Sequence, residues 1–313
     1  MSAESAPHPP APRVTMPAAA PYRGRFAPSP TGPLHFGSLI AAAGSFLQAR
    51  SRGGEWLVRI EDLDPPRTVA GAADGILRTL EAFGLTWDGA VSHQSRRQEI
   101  YRDALSQLDA LGVLYGCSCT RSEIADSSAH GIDGPVYPGT CRGRQRAGRT
   151  LRVLVEDREL VFQDLVQGEI RCALAHEVGD FVVRRADGLH AYQLAAAVDD
   201  ADQGITEVVR GADLLYSTPR QIHLQQLLGL PTPGYAHLPL AVDTGGRKLG
   251  KQTQAPSVSG HDPVPTLIEA LRFLGQPVPP ALRDTDVAGF WHWAISHWQI
   301  ERVAHHTPAV TGR

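Results

Sequence analysis

Apolar residues follow two different spacings along the part of the chain that starts near Tyr22. Short apolar runs at 25–27 and 56–60 are typical of strands, and each precedes a stretch whose apolar residues recur at helical spacing, at 35–52 and 69–83. Strands that alternate with helices indicate a parallel sheet with right-handed crossovers. The pattern therefore predicts an α/β fold.

The same rhythm continues further along the chain. A third helix is expected to begin at Ser95, with Gln98 in a capping-box arrangement, and to end at Gly112. Thr218-Pro219 and Gly229 are typical start and stop signals of a later helix. The remaining expected elements are a helix at 192–198, strands at 205–209 and 238–242, and C-terminal helices at 266–274 and 290–303.

The stretch 116–190 interrupts this rhythm. It has little helical periodicity, and its strand candidates lie at 151–155, 159–162 and 181–184 among many turn residues. We therefore expect an insertion with its own fold between two halves of one catalytic domain. The predicted division is a disordered tail at 1–22, a first half at 23–115, the insertion at 116–190, a second half at 191–256, and a short helical segment at 257–313.

Composition narrows the class of protein. Hydrophobic residues make up 42% and charged residues 20% of the chain, as in an ordinary globular protein, and the formal net charge is −3. Such a chain has no bulk attraction for nucleic acid, so a polyanion must be held by a local patch. No apolar run approaches a membrane span. The Pro- and Ala-rich start lacks the features of a secretory signal, and the four cysteines do not suggest a disulfide framework, so we expect a cytoplasmic protein without membrane contact.

The two lysines of the chain stand three residues apart, as Lys248 and Lys251, although arginine is abundant. An ammonium group on a flexible stem suits polyphosphate, whose oxygens it can follow. A solvated loop in a chain biased towards arginine would show the same spacing. A second phosphate candidate is the helix start after the Pro-rich turn, where His35 and Gly37 stand. The free N–H groups of a helix start bind anions, and glycine allows a close approach.

Together, these two segments resemble the signature motifs of class I aminoacyl-tRNA synthetases. His35-Phe36-Gly37-Ser38 resembles the HIGH motif, and Lys248-Leu249-Gly250-Lys251-Gln252 resembles the KMSKS loop, with Gly250 in place of the usual serine. The segments 25–32, 59–64 and 209–214 are similar to those of the glutamyl/glutaminyl branch. The resemblance implies a Rossmann-type parallel sheet with a zinc-bearing α+β insertion and a short C-terminal helical segment.

The chain after the lysine loop is too short for the anticodon-binding region of a full-length glutamyl enzyme, and the runs 34–39 and 60–67 are similar to the short paralogues of that enzyme. The resemblance implies that ATP and Mg²⁺ activate L-glutamate to glutamyl-adenylate. The glutamyl group would then pass to queuosine in the anticodon of tRNA(Asp). A truncated glutamyl-tRNA synthetase that charges a tRNA 3′ end, and an inactive module that binds RNA or a partner, stay open as alternatives. We expect a monomer.

Site residues follow from the same resemblance. It implies that His35, Lys248 and Lys251 are catalytic, and that His35, Gly37, Ser38 and Lys251 bind ATP. Glutamate has two carboxylates and one ammonium, so its pocket needs arginines and an acid. The implied pocket consists of Arg25, Phe26, Ala27, Pro28, Ser29, Glu61, Tyr192 and Arg210. An ion-paired strand acid is the alternative for Glu61, and a core aromatic is the alternative for Tyr192.

Cys117, Cys119 and Cys141 form a candidate metal site, since cytosolic thiolates at short spacing favour zinc. Reduced surface thiols are the alternative. The resemblance implies one structural zinc ion per chain with Tyr137 as the fourth ligand, and His130 is the other candidate. Cys172 is expected in the core. The local basic stretch beside these cysteines is either a contact for RNA phosphates or a solvated loop; it contains Arg142, Arg144, Arg146, Arg149 and Arg152.

Overall fold

The computed structural model describes residues 21–127, 130–131, 134–143, 148–242 and 257–305. Its strands are β1 (Arg23–Phe26), β2 (Glu55–Ile60), β3 (Ser92–His93), β4 (Leu114–Cys117), β5 (His130–Gly131), β6 (Gly134–Pro135), β7 (Thr150–Val153), β8 (Glu159–Asp164), β9 (Gly168–Ala173), β10 (Phe181–Arg184), β11 (Glu207–Gly211) and β12 (Gly234–Leu238). Its α-helices are α1 (Phe36–Arg50), α2 (Ala72–Ala82), α3 (Gln98–Ala110), α4 (Arg121–Ser127), α5 (Leu174–Glu177), α6 (Tyr192–Asp202), α7 (Thr218–Leu228), α8 (Pro263–Phe273) and α9 (Val287–His297).

Two sheets carry the parallel part of the fold. The first has the order β1-β2-β3, with parallel pairing throughout. The second has the order β11-β12-β8-β9, in which β11, β12 and β8 are parallel and β9 returns antiparallel to β8. The chain just before β11 adjoins β1, because the N–H of Thr206 donates to the carbonyl oxygen of Arg23 (2.9 Å). The carboxyl ends of β1, β2, β11 and β12 are thereby brought to one region.

The stretch 116–190 contributes to three different sheets, of which one is the small antiparallel pair β5-β6. β7 pairs antiparallel with β4 and β10 in a sheet of the order β10-β7-β4. The β8–β9 hairpin, in contrast, joins β12 and extends the sheet of the second half. This part of the predicted insertion is therefore continuous with the second-half sheet, and the proposed domain limits stay a prediction.

Helix α1 is the central buried element of the first half. Gly44 allows it to lie close to β12, since a Cβ at this position would stand 2.6 Å from Cδ1 of Leu238. Phe46 of α1 packs edge-on against Trp56 of β2 and Trp291 of α9, with ring centroids 5.2 and 4.8 Å apart. The C-terminal helices therefore complete the core around α1. None of the helices in the described ranges is both long and apolar enough to cross a membrane.

Most of the expected elements are present with limits that differ by a few residues, and α7 ends at Gly229 in the left-handed region (φ 64°), as its stop signal predicts. Two expectations are wrong. Ser95 does not cap α3, because its N–H and hydroxyl both donate to Asp62 (2.7 Å each). The expected strand at 238–242 is displaced, because β12 ends at Leu238, just before a proline that has no N–H for the ladder.

Candidate active site

A cavity of about 230 Å³ lies at the carboxyl ends of β1, β2, β11 and β12, next to the start of α1. This is where open parallel sheets commonly bind ligands. The predicted site residues that line the cavity are Arg25, Phe26, Ala27, Pro28, Ser29, His35, Gly37, Ser38, Glu61, Tyr192 and Arg210. The fold thus brings together residues that are far apart in the sequence. Their individual roles stay predictions.

The start of α1 forms one wall of the cavity. His35 is the N-cap, and its Nδ1 accepts a hydrogen bond from the N–H of Ser38 (3.3 Å). Since Nδ1 accepts, the proton of a neutral His35 ring lies on Nε2, which stands 3.0 Å from the Ser38 hydroxyl. The helix start therefore presents a donor-rich surface to the cavity, which is chemically suited to a phosphate.

Arg25 occupies a charge-balanced end of the cavity. It is buried, and its Nε and Nη2 donate to the two carboxylate oxygens of Asp200 (3.0 and 3.3 Å). Arg59 donates to the same Asp200 carboxylate (2.8 Å). Burial by itself would raise the pKa of Asp200, but the charges of Arg25 and Arg59 outweigh it and lower this pKa to about 2. Asp200 is therefore ionised and holds both guanidinium groups.

Glu61 follows β2 and lies beside this cluster. Its carboxylate stands 3.4 Å from Nη2 of Arg59, and its N–H donates to the carbonyl oxygen of Pro28 (3.0 Å), which fixes the strand end against the Pro-rich turn. Burial raises the pKa of Glu61 against the opposing effect of Arg59 and Arg25. Glu61 thus has one long ion pair and lines the cavity, where its carboxylate can accept a hydrogen bond from an ammonium group.

A second end of the cavity is formed around Arg210, whose partners are neutral. Its Nη1 donates to the Tyr192 hydroxyl (3.3 Å), its Nη2 donates to Thr218 Oγ1 (2.8 Å) and the Leu214 carbonyl (3.2 Å), and its Nε donates to His237 Nε2 (3.1 Å). Among the described residues, no carboxylate lies within ion-pair distance of Arg210, which is 5% exposed. This buried cation is therefore available to an anionic ligand.

Sequence reasoning missed the residues behind the two arginines. Asp200 and its neighbour Asp199 end the apolar run of α6, and both are buried. Asp199 accepts from Arg97, Tyr101 and Gln94. Two adjacent acids at the end of an apolar helix were the signal that could have identified them, because charged groups are rarely buried unless they are paired. His237 and Asp164, behind Arg210, had no comparable signal.

The predicted catalytic lysines, Lys248 and Lys251, and the substituted Gly250 lie outside the described residues. The described chain on either side of this segment reaches the cavity: Ala241 lines it, and Ser257 forms a bridge with His35. The N–H of Val258 also donates to the carbonyl oxygen of Leu34 (2.9 Å). The two lysines therefore keep their predicted role as a proposal.

The three predicted thiol ligands lie within 4.8 Å of one another in the insertion. The Tyr137 hydroxyl stands 3.4 Å from Sγ of Cys117 and 3.6 Å from Sγ of Cys119, and it accepts from the N–H of Cys141 (2.9 Å). Three sulfurs and one phenolic oxygen around one point match the number of donors in a structural zinc site. The side chain of His130, the other candidate, lies outside the described structure.

Neighbouring residues support this cysteine cluster. The Arg152 guanidinium lies 3.9 Å from the centre of the Tyr137 ring, and Arg142 pairs with Asp180. These two arginines of the basic stretch therefore have internal contacts, whereas Arg144 and Arg146 lie outside the described residues. Cys172 is buried in β9 among apolar side chains, as expected of a core residue.

Comparison with known proteins gives a consistent result. The family model of the catalytic domain of tRNA synthetases class I (E and Q) matches residues 22–279. A glutamyl-Q tRNA(Asp) synthetase of Dechloromonas aromatica is 60% identical over 288 residues, which are 90% of this chain and 96% of that protein. A protein of the same name from Chromobacterium violaceum is 57% identical over 90% of this chain and 95% of its own length.

Solved structures give the same fold at lower identity. A glutamate tRNA ligase of Elizabethkingia meningosepticum in complex with its amino acid has a TM-score of 0.77 at 24% identity, over 94% of this chain and 67% of that one. A glutamate-tRNA synthetase of Elizabethkingia anophelis has a TM-score of 0.78 at 24% identity, over 94% of this chain and 68% of that one. The expected class I synthetase fold, with its parallel sheet, is thereby confirmed.

Proposed function

This chain belongs to the class I tRNA synthetases (E and Q), among the glutamyl-Q tRNA(Asp) synthetases, and we propose that it transfers glutamate to queuosine in the anticodon of tRNA(Asp). As a member of this family it is a ligase of the aminoacyl-tRNA synthetase type. Its substrates are then L-glutamate, ATP and queuosine-containing tRNA(Asp), and we expect it to act in the cytoplasm as a monomer. Mg²⁺ would accompany ATP and neutralise phosphate charge.

The first step is adenylation. An oxygen of the glutamate α-carboxylate attacks the α-phosphorus of ATP, and the bond to the leaving pyrophosphate breaks, which gives glutamyl-adenylate. Negative charge grows on the phosphate oxygens, and His35 with the start of α1 is placed to stabilise it. Lys248 and Lys251 would add two positive charges. In the second step, a hydroxyl of queuosine attacks the activated carbonyl and AMP leaves.

The glutamate pocket uses the charge difference between the two ends of the cavity. Arg210, with the Tyr192 hydroxyl beside it, binds the side-chain carboxylate. Glu61 and Ser29 take the ammonium group, and Arg25 faces the other carboxylate. The observation that carries this assignment is the buried guanidinium of Arg210, which has neutral partners among the described residues.

The proposed activity is tested in two stages. Glutamate-dependent ATP–pyrophosphate exchange, with tRNA present, tests adenylation; no exchange would support an inactive module. Transfer of labelled glutamate to tRNA(Asp) with and without queuosine then tests the acceptor. We expect labelling of the queuosine-containing tRNA alone. Equal labelling of both would refute the acceptor, and labelling of tRNA(Glu) would favour a truncated glutamyl-tRNA synthetase.

The role of the lysine loop has its own test. Lys251→Ala should lose most of the glutamate-dependent exchange, because one of the two positive charges proposed to act on the polyphosphate is removed. The melting temperature of the variant, measured in parallel, checks that it is folded. Exchange that stays unchanged would refute the role given to Lys251.

The cysteine cluster is proposed as a structural zinc site with Cys117, Cys119, Tyr137 and Cys141 as ligands. Bound zinc would link these four side chains and stabilise the insertion. Metal analysis of the purified protein should give about one zinc per chain. Cys141→Ser should lose most of the metal. Cys172→Ala serves as the control, because it also removes one thiol but lies outside the cluster, and it should retain the metal. Retention by both variants would refute the ligand set.

A further inference from the structure

We infer that His237 and Asp164 form a positioning pair that fixes the guanidinium of Arg210 in the cavity. Neither residue lines the cavity, so they act through Arg210 and do not touch the substrate. The inference rests on the proposed function for the identity of the ligand, a glutamate carboxylate. The arrangement of the pair itself depends on contacts between described residues.

Cross-strand register places His237 behind Arg210. The two residues are directly paired between the parallel strands β11 and β12. Nε of Arg210 stands 3.1 Å from Nε2 of His237, and both side chains are buried. A guanidinium nitrogen can only donate, so Nε2 of His237 must accept. The structure therefore requires one tautomer of the imidazole, with its proton on Nδ1.

Asp164 selects that tautomer. Its Oδ2 lies 2.6 Å from Nδ1 of His237, so the ring donates its remaining proton to the carboxylate. A carboxylate that holds a histidine in one tautomer is a recurring device in active sites. Burial lowers the pKa of His237 to about 4, against the opposing effect of Asp164 and with a further lowering by Arg210. The ring is therefore a neutral acceptor at neutral pH.

The β8–β9 turn holds Asp164 rigidly. Oδ1 of Asp164 accepts from the backbone N–H groups of Val166 (3.0 Å), Gln167 (2.8 Å) and His237 (3.1 Å), which leaves Oδ2 for the imidazole. The Gln167 amide also donates to the His237 carbonyl (2.7 Å). The β8–β9 hairpin thus fixes His237, which in turn contacts Arg210 at the cavity.

Thr218, at the start of α7, closes the arrangement. Its Oγ1 accepts from Nη2 of Arg210 (2.8 Å) and stands 3.2 Å from Nε2 of His237. The charged groups that act on His237 are Asp164 from β8, Arg210 from β11 and Arg25 from β1, and Tyr235 stacks on the ring from β12 itself. Two neutral groups therefore fix two sides of the guanidinium.

A neutral acceptor has a consequence that a carboxylate would not have. Asp200 holds Arg25 in place but also cancels its charge. His237 holds Arg210 in place and leaves its positive charge for the ligand. The pair thereby combines a fixed orientation with a free charge at the end of the cavity that binds the side-chain carboxylate.

Two substitutions of His237 separate positioning from structural support. In His237→Asn, the amide nitrogen can replace Nδ1 as the donor to Asp164, but the side chain does not reach Arg210. In His237→Gln, the amide oxygen can replace Nε2 as the acceptor from Arg210, but the hydrogen bond to Asp164 is lost. We expect His237→Asn to raise the KM for glutamate about tenfold or more, with a smaller change in kcat, and His237→Gln to raise it less. Gln should lower the melting temperature more than Asn. KM values that are equal, or in the reverse order, would overturn the inference.

The tautomer gives a readout that needs no catalysis. In the ¹⁵N-histidine spectrum, His237 should show a protonated Nδ1 and an unprotonated Nε2, and Asp164→Asn should change this signature because an amide N–H would face Nδ1. A signal with the proton on Nε2 in the parent protein would overturn the pair. Absence of glutamate-dependent exchange together with the expected tautomer would instead reject the proposed function and leave the pair standing.

Discussion

The two ends of the cavity hold an arginine by different chemistry. At one end, Arg25 shares the Asp200 carboxylate with Arg59, in a buried network of alternating charges. At the other end, Arg210 is surrounded by an imidazole, two hydroxyls and a carbonyl. Both guanidinium groups are oriented, but one is neutralised. The difference teaches that burial and hydrogen bonding alone do not separate a charge-balanced arginine from one with neutral partners, and the neutral partners are the reason why the proposed ligand-binding role is given to Arg210.

The largest expected effect concerns the stability of the charge-balanced end. Asp200→Asn should lower the free energy of unfolding by about 3–5 kcal/mol, because Arg25 and Arg59 lose their shared carboxylate inside the protein. Urea unfolding measures this change. The matched control is Asp202→Asn in the same helix, where the carboxylate is 54% exposed beside Arg97 and the expected change is below about 1 kcal/mol. A similar loss of unfolding free energy in both variants would contradict the structural role given to Asp200.

The second prediction concerns the proposed ligand-binding end, around Arg210. Arg210→Met should raise the KM for glutamate about 100-fold, because a buried carboxylate loses its charged partner. The free energy of unfolding should change by less than about 2 kcal/mol, because the removal of a buried, unpaired cation offsets the loss of its hydrogen bonds to His237, Thr218 and Leu214. Arg171→Met, on the exposed face of β9, serves as the control and should change neither quantity. Marked unfolding of the Arg210 variant would show that this arginine, like Arg25, has a structural role.

The pH dependence of stability should distinguish the two ends. The pKa of His237 is lowered to about 4 in the folded state, so its contribution is present above the unfolded pKa near 6.5 and is lost as the pH falls towards 4. The pKa of Asp200 is lowered to about 2, so its contribution is lost between about pH 4 and 2. The contributions are of the order of 3 kcal/mol for His237 and about 2 kcal/mol for Asp200.

Equilibrium unfolding at a series of pH values checks this order. His237→Gln should reduce the decline between about pH 6.5 and 4, to which His190 and His223 also contribute because burial lowers their pKa values, and should leave the more acidic decline in place. Asp200→Asn should do the opposite. A parent protein whose stability is constant down to pH 4 would contradict the neutral, buried state of His237.

The smallest expected effect belongs to the hydroxyl beside Arg210. Thr218→Val keeps the shape of the side chain and removes one acceptor from Nη2 of Arg210, so the KM for glutamate should rise about threefold to tenfold. Thr266→Val, at the start of α8, removes a hydroxyl bond far from the cavity and should leave this KM unchanged. A Thr218 variant with the parent KM would limit the positioning role to His237.

Local signals predicted the parts of the site that depend on local structure. The Pro-rich turn, the helix cap His35 and the stop signal Gly229 all act within a few residues, and the structure has α1 and α7 where they indicate. The pocket residues were identified through motif resemblance, which links segments that the pattern alone does not connect. Their location at one cavity agrees with that resemblance.

Other features depend on contacts between distant segments. The β8–β9 hairpin looks like part of an insertion because its pairing partner, β12, lies 70 residues later, as the separation of Gln167 and His237 illustrates. A buried histidine in a strand is usually a core residue. The proposed role of His237 is therefore visible only from its contacts with Arg210 and Asp164. The pairing of Asp199 and Asp200 with arginines could be predicted only if the burial of their helix face were known. These facts are properties of register and packing.

The discrimination between L-glutamate and L-glutamine in ATP–pyrophosphate exchange tests the central claim most directly, because the two amino acids differ in whether the side chain carries a charge for Arg210. The parent protein should prefer glutamate by about 100-fold or more in kcat/KM, and Arg210→Met should lose most of this preference. An Arg210→Met variant that keeps the full preference would contradict the assignment of the free charge at this end of the cavity to the substrate carboxylate.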